Sequence, residues 1–114
     1  MRIIVCGGRN YSDRTTVARV LGALDRQAVT IVHGEARGAD TVAGSEARRL
    51  GMKVEAWPAD WSLHGKAAGP IRNQQMLAAG ADLVIAFPGG RGTTDMSNRA
   101  QRAGIPVLRV VQDG

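Results

Sequence analysis

Short apolar runs alternate with amphipathic stretches along the whole chain. Five of these runs are predicted to be strands: residues 2–6, 29–33, 52–56, 82–87 and 107–111. The first run ends in glycines, which is typical of a buried strand that stops at a turn. Polar residues alternate with apolar ones in the third run, so that strand is expected at an edge of the sheet.

The stretches between the runs carry apolar side chains at helical spacing, as Val17 and Leu21 illustrate. Four helices are expected. Ser12 is predicted to cap the first helix and Asp40 the second, because a short side-chain oxygen can accept a hydrogen bond from the first helical turn. Pro70 fits the first position of the third helix, where its missing N–H costs nothing.

Strands and helices therefore alternate, with short links between them. Parallel strands need crossover connections, and right-handed crossovers place helices on both faces of the sheet. We predict an α/β fold with a five-stranded parallel sheet, formed by one domain over residues 1–114. Ligands of such sheets bind beyond the carboxyl ends of the strands, and the glycine-rich segments of this chain all follow strands.

The most informative segment covers residues 87–95, Phe-Pro-Gly-Gly-Arg-Gly-Thr-Thr-Asp, between the fourth strand and the fourth helix. Glycines let the backbone approach a ligand, and the unpaired N–H groups of the first helical turn point at it. Arg91 adds a cation, and Thr93 adds a hydroxyl that can cap the helix or bond a phosphate oxygen. The pattern favours an anion site over a tight turn without a ligand.

Two other glycine-rich loops are candidates for the same site. Residues 7–9, Gly-Gly-Arg, follow the first strand but lack the dinucleotide-binding pattern G-x-G-x-x-G, so a ligand contact and a plain turn both stay open. Residues 34–40 hold a carboxylate and a guanidinium between two glycines. Glu35 could bond a ribose hydroxyl or pair with Arg37. The simpler role of Asp40 is the helix cap.

A long segment, residues 57–69, is predicted to be irregular, and long loops of compact domains are often functional. One of its tryptophans could stack on a base, and Lys66 could contact a phosphate. Alternatively, Trp57 and Trp61 could pack the loop onto the domain. Arg72 follows just inside the third helix, where it could hold a phosphate in a forked geometry or form a surface ion pair.

The charge of the chain favours anionic partners, since the net charge is +5 and the pI is about 10.7. The basic residues are scattered and lie mostly beside predicted turns, and the longest basic run is the pair Arg48-Arg49. This distribution favours a pocket for a phosphorylated small molecule over a stripe for nucleic acid.

The composition argues against several other classes. Cys6 is the single cysteine, so the chain has no internal disulfide, which suits a reducing cytoplasm. The two histidines have no metal-site spacing with that cysteine. No apolar run approaches the ~20 residues of a membrane span. We therefore expect a cytoplasmic protein without a metal, a cofactor or a membrane partner.

Four motifs together resemble the YspA-type branch of the SLOG superfamily, over the chain from Ile3 to about Val110. They are Gly-Gly-Arg at residues 7–9, Gly-x-x-x-Gly-Ala-Asp at 34–40, Pro-Ala-Asp-Trp…Gly-Lys-Ala-Ala-Gly-Pro-x-Arg-Asn at 58–73, and Phe-Pro-Gly-Gly-x-Gly-Thr at 87–93. The superfamily also holds LOG phosphoribohydrolases, the DNA-processing protein DprA and sensor domains for nucleotides derived from NAD. The resemblance implies a Rossmann-like three-layer fold with a nucleotide site, and a homodimer is one expectation, since related domains often dimerise.

The resemblance to LOG enzymes is incomplete at two positions. Their Arg-Lys-x-x-Met motif has Asn73 in place of the lysine here. Their Pro-Gly-Gly-x-Gly-Thr-x-x-Glu motif matches through Thr93, but the glutamate position holds Met96. Asp95 comes one residue early, and one residue of a helix is a turn of about 100°, so its carboxylate is expected to point elsewhere. The resemblance thus implies a phosphate cradle whose acid–base partner is replaced.

The sequence therefore predicts a protein that binds a nucleotide or a nucleotide-derived phosphate ligand. One alternative is a LOG-like enzyme that cleaves an N-glycosidic bond with Asp95 or Glu35 as its catalytic carboxylate. Another is a DprA-like nucleic-acid binder, which the scarcity of aromatic side chains for stacking single strands disfavours. The candidate ligand-binding residues are Gly7, Gly8, Arg9, Gly34, Glu35, Arg37, Asp40, Lys66, Arg72, Asn73, Pro88, Gly89, Gly90, Gly92 and Thr93.

Overall fold

Five parallel strands form one sheet in the computed structural model, which describes residues 1–111. The strands are β1 (Arg2–Cys6), β2 (Thr30–His33), β3 (Lys53–Ala56), β4 (Leu83–Ala86) and β5 (Val107–Arg109). Their order across the sheet is β3-β2-β1-β4-β5. The parallel sheet and the edge position of the third strand are confirmed, while four of the predicted strands extend one or two residues too far.

Five helices surround the sheet instead of the four that were predicted. They are α1 (Arg14–Gly22), α2 (Ala39–Arg49), α3 (Trp61–His64), α4 (Ala68–Ala78) and α5 (Arg91–Arg102), and a 3₁₀ turn (Gly65–Ala67) joins α3 to α4. The expectation that residues 57–69 are irregular was thus wrong for most of the segment. Asp60 caps α3 by accepting a hydrogen bond from the Leu63 N–H at 3.0 Å. Pro70 is the third residue of α4, because this turn carries the helix back to Ala68.

The cap of α1 also differs from the prediction. Asp13, not Ser12, holds the first turn: its carboxylate accepts the Thr16 N–H at 3.1 Å and the Thr16 hydroxyl at 2.6 Å. Ser12 lies one residue too early, since α1 begins at Arg14 and the capping residue immediately precedes it.

Two apolar cores lie on opposite faces of the sheet, because successive residues of a strand point to opposite sides. Ile3 and Val5 belong to the first core, which α1 and α2 cover, while Ile4 and Cys6 belong to the second, which α4 and α5 cover. Helices on both faces are therefore confirmed. Burial on both faces also explains why β1 reads as a continuous apolar run.

The strand order creates an opening at the carboxyl edge of the sheet. β1 lies in the centre, with β2 on one side and β4 on the other. The chain leaves β1 toward α1 on one face and leaves β4 toward α5 on the opposite face. The two connecting loops diverge at this point, which is where sheets of this kind bind ligands. Among residues 1–111, no helix is long and apolar enough to cross a membrane.

Candidate functional site

A cleft of about 1370 Å³ lies at the carboxyl edge, above β1, β2 and β4. It is lined by the loops that follow these strands, by α3 and by the first turns of α4 and α5. This volume exceeds the ~300–1,000 Å³ of a typical small-molecule pocket. Fourteen of the fifteen candidate ligand-binding residues line the cleft: Gly7, Gly8, Arg9, Gly34, Glu35, Asp40, Lys66, Arg72, Asn73, Pro88, Gly89, Gly90, Gly92 and Thr93.

Arg37 is the candidate residue that the cleft does not include. It lines a smaller adjoining cavity of about 440 Å³ together with Arg9, Glu35, Ala36 and Trp61. Arg9, Glu35, Ala36 and Trp61 also line the main cleft, so the two spaces share a wall.

The glycine-rich loops interlock at the floor of the cleft. The Gly8 N–H donates to the Pro88 carbonyl at 2.9 Å, and the Gly8 carbonyl accepts the Ala39 N–H at 3.1 Å. A Cβ atom at Gly89 would lie within 3 Å of the backbone of residues 7 and 8. Gly38 has φ +78°, a conformation that side chains with a Cβ rarely adopt. These glycines are therefore needed to pack three loops together, with or without a ligand.

Gly90 and Gly92 differ from these packing glycines. A Cβ atom at either residue would have no neighbour within 4 Å, and both residues are exposed. They lie at the start of α5, where Gly90 is the N-terminal cap residue and no side chain of the described residues caps the helix. Protein packing therefore does not explain why these two positions are glycine, and the open backbone of the first turn faces the cleft.

The Arg72 guanidinium is held in the cleft by backbone carbonyl groups. Its Nη1 donates to the Gly34 carbonyl at 2.6 Å and lies 3.5 Å from the Trp57 carbonyl, and its Nε donates to Asn73 Oδ1 at 3.1 Å. Partial burial lowers the pKa of Arg72, and the nearby Asp40 carboxylate opposes that shift. Nη2 makes no hydrogen bond within residues 1–111, and Arg72 lines the cleft.

Asn73 joins α4 to the first turn of α5. The residue is buried, and its amide nitrogen donates to Asp95 Oδ2 at 3.0 Å and to the Gly92 carbonyl at 3.4 Å. Asp95 also accepts a bifurcated hydrogen bond from the Arg99 Nε–H, with Oδ2 at 2.9 Å and Oδ1 at 3.1 Å. A polar chain thus runs from Arg72 through Asn73 and Asp95 to Arg99, and it fixes the glycine turn relative to the arginine.

Met96 does not occupy a place in the site. Its side chain is fully buried in the second core, beside Met76 and Ala100, and Asp95 lines the cleft. The expectation that Asp95 points elsewhere was therefore wrong, and the motif's glutamate position, which Met96 holds, lies in the core. A motif gives only the position of a residue in the sequence. Whether its side chain is buried depends on which face of α5 packs against the core.

Asp40 is not the cap of α2. Gly38 occupies the cap position, and Asp40 is the second residue of the helix, with its side chain buried at the floor of the cleft. Its Oδ2 accepts the Gly34 N–H at 2.9 Å and the Ala36 N–H at 3.3 Å. Desolvation by burial raises the pKa of this carboxyl, although those two hydrogen bonds and Arg72 act in the opposite direction. Asp40 therefore braces the loop that carries Glu35.

Glu35 adopts a left-handed conformation with φ +58°, and His33 holds it there. The Glu35 N–H donates to His33 Nδ1 at 2.9 Å, so the neutral imidazole carries its proton on Nε2. Burial lowers the pKa of His33, which favours this neutral form. The Glu35 side chain is exposed at the wall shared by the two cavities.

Several residues of the cleft carried no signal in the sequence. Asn10 and Tyr11 line it beside Arg9, but they follow the glycines in a loop without a recognised motif. Cys6 also reaches the cleft, where burial raises the pKa of its thiol to about 12, so the thiol is not a nucleophile near neutral pH. The described residues contain no group of three or more His, Cys, Asp or Glu side chains that could hold a metal ion.

The comparison with known families identifies the relatives of this chain. Residues 1–64 match the profile of the YspA, cpYpsA-related SLOG family. The chain belongs to this family. The Gene 61 protein of Mycobacterium phage D29 is 46% identical over 117 aligned residues, which cover 94% of each protein. The similarity of this SLOG-family chain to the phage protein therefore continues beyond residues 1–64.

Two solved structures share the fold. DNA processing protein A (DprA) from Streptococcus pneumoniae superposes with a TM-score of 0.81 at 23% identity, over 98% of this chain and 50% of the DprA chain. TM1055 superposes with a TM-score of 0.70 at 19% identity, over 93% of this chain and 71% of its own. The SLOG chain thus spans half the length of DprA, and at these identities the likeness concerns the fold alone.

Proposed function

We propose that this protein binds a nucleotide or a nucleotide-derived phosphate ligand in the cleft. The observation that carries the proposal is the start of α5, where Gly90 and Gly92 are glycine without a packing reason and leave the backbone open to the cleft. A helix N-terminus binds anions through its unpaired N–H groups and its dipole. The family membership supports the same class of ligand.

A phosphate group would bind between the first turn of α5 and Arg72. The Thr94 N–H already donates to the Gly90 carbonyl, which leaves the N–H groups of residues 91–93 for the phosphate oxygens. Thr93 adds a hydroxyl, and Arg72 adds the nitrogen that its backbone contacts leave unused. Because Arg72 is held by carbonyl groups before any ligand arrives, less side-chain entropy is lost on binding.

A thermal-shift screen of nucleotides tests the proposal. With AMP, ADP-ribose, NAD and cyclic nucleotides as probes, at least one should stabilise the protein. A ligand at one hundred times its Kd adds about 2.7 kcal/mol to the unfolding free energy, which raises the melting temperature measurably. Melting curves that stay unchanged across the panel at millimolar concentrations would contradict nucleotide binding.

Two further assays distinguish the alternative functions. Asp95 lies in the cleft, so it is a candidate catalytic carboxylate. If the protein releases free base from nucleoside monophosphates and Asp95→Asn abolishes this release, a LOG-like N-glycosidic hydrolase would be favoured. Tight binding of single-stranded DNA that survives physiological salt would favour a nucleic-acid binder, because non-specific binding falls steeply as salt increases. The cytoplasmic location and the homodimer stay predictions.

Gly90 and Gly92, the open glycines at which a Cβ atom would have no neighbour, lead to a prediction. Gly92→Ala should stabilise the protein by about 0.5–1 kcal/mol, because alanine favours the helix and the added Cβ meets nothing. The same methyl group should weaken binding of the nucleotide found in the screen, since it occupies the path of the phosphate. Chemical denaturation and calorimetric titration measure the two effects.

Gly22→Ala is the matched control, because Gly22 ends α1 and its Cβ would also have no neighbour within 4 Å. It lies outside the cleft, so it should leave affinity unchanged. Equal nucleotide affinity in wild type and Gly92→Ala would show that no ligand approaches this turn.

A further inference from the structure

Trp61 has no structural role in the core that would explain its size. The side chain is 49% exposed, and α3, the helix that it begins, contains no buried residue. Trp57 behaves differently: it packs against the second core, and its indole N–H donates to Glu55 at 2.8 Å. One tryptophan of the segment therefore anchors it, and the other leaves half of a large aromatic surface in water beside the cleft.

The Trp61 indole lies between the start of α4 and the loop that follows β1. A Cβ atom placed at Gly69 would lie 3.5 Å from its Cη2 atom, so the ring rests on the first turn of α4. On its face, the guanidinium carbon of Arg9 lies 6.0 Å from the ring centroid, within the range of a cation–π contact. The indole therefore spans from α4 to the loop that follows β1.

The Trp61–Arg9 pair and the proposed phosphate site are connected through α4. Gly69 and Arg72 lie three residues apart on α4, so they share one face about one helical turn apart. Both residues line the cleft. The aromatic ring beside Gly69 and the arginine of the proposed phosphate site therefore lie along the same wall of the cleft.

We propose that Trp61 and Arg9 form the stacking site for the base of the bound nucleotide. The inference rests on the proposed function, and it makes the ligand a base-containing nucleotide rather than a sugar phosphate. Carbon atoms in contact lie about 3.5–4.0 Å apart, so a base between the two groups needs about 7–8 Å. Arg9 is exposed and would move outward by roughly 1–2 Å from its present distance.

The adjoining cavity of Arg9, Glu35, Ala36, Arg37 and Trp61 supports this placement. Trp61 and Arg9 both line this cavity, so a purine or a pyrimidine stacked between them has room for its outer edge or for a substituent. Arg9 and Arg37 outnumber the single carboxylate of Glu35 here, so this end of the site has a net positive charge. Planar guanidinium groups stack on bases as well as on indole rings.

Affinities for AMP and for ribose 5-phosphate test the proposal, since the two probes share the phosphate and the sugar but differ in the base. Trp61→Ala should weaken AMP binding roughly 5- to 150-fold, the equivalent of about 1–3 kcal/mol per stacked base. Ribose 5-phosphate affinity should change less than about twofold. In a Trp57→Phe background, AMP but not ribose 5-phosphate should quench the fluorescence of Trp61.

Leu63→Ala is the matched control, because Leu63 lies in the same short helix and its side chain is 71% exposed. It should change neither affinity. Equal losses for both probes in Trp61→Ala, or no loss for either, would overturn the stacking site while leaving the phosphate site in place. Absence of binding by both probes to the wild-type protein would overturn the stacking site, and unchanged melting curves across the whole nucleotide panel would overturn the proposed function as well.

Discussion

A Met96→Glu variant is expected to lose about 3–5 kcal/mol of unfolding free energy at pH 7, a large fraction of the roughly 5–15 kcal/mol that stabilises a typical domain. Met96 is fully buried in the second core, between the sheet and α4. A carboxylate at this position would lie among the apolar side chains of that core, and its charge would be desolvated. Urea denaturation followed by circular dichroism measures the loss.

The pH dependence of this loss identifies its cause. Burial raises the folded-state pKa of a carboxyl group, so the loss of stability relative to wild type should be smallest below the unfolded pKa of about 4.3 and should grow as the pH rises. Met96→Leu is the control, because a swap of similar volume costs less than about 1.5 kcal/mol. A Met96→Glu protein with wild-type stability at pH 7 would mean that the residue faces the cleft after all.

The phase of α5 illustrates where a motif and a helical pattern disagree. Matching Pro-Gly-Gly-x-Gly-Thr-x-x-Glu to the chain puts Met96 in the place of a functional glutamate. However, Met96 and Ala100 are spaced four residues apart, which is the spacing of a buried helical face, and both are fully buried. Asp95 is then turned by about 100° toward the cleft. The apolar spacing in the sequence was sufficient to predict this orientation.

The fold was predictable because each strand and each helix carries a local signal. β1 and β4 are buried on both faces, so nearly every position is apolar, and glycines mark the points where the chain turns. Because strands and helices alternate along the chain, a parallel sheet covered by helices is the expected architecture. The same signals located the cleft, since in parallel sheets the loops after the strands meet at one edge.

The contacts within the site were not predictable, because they join residues that are distant in sequence. Asp40 accepts hydrogen bonds from the Gly34 and Ala36 N–H groups and does not cap its own helix. Arg72 donates to the Gly34 carbonyl, 38 residues away in the sequence. The distinction between packing glycines and open glycines likewise depends on neighbours from other loops. Local composition gives no information on such pairs.

Removal of the Arg72 guanidinium is expected to affect both ligand affinity and stability. A charge-assisted hydrogen bond contributes about 1.5–3 kcal/mol, so Arg72→Ala should weaken nucleotide binding roughly 10- to 150-fold. The change should also cost about 1–3 kcal/mol of unfolding free energy, because the buried Gly34 carbonyl loses its donor. Calorimetric titration and urea denaturation of the same variant measure the two losses.

Arg72→Lys separates the two roles of this side chain. A lysine keeps the positive charge and one donor for the Gly34 carbonyl, so most of the stability should return, but its ammonium cannot reproduce the forked geometry of the guanidinium. Arg102→Ala, at the exposed end of α5, is the control for loss of one positive charge. If Arg72→Ala loses stability and keeps full affinity, Arg72 only braces the loop. If Arg72→Lys restores stability while nucleotide binding stays weak, the guanidinium contacts the phosphate directly.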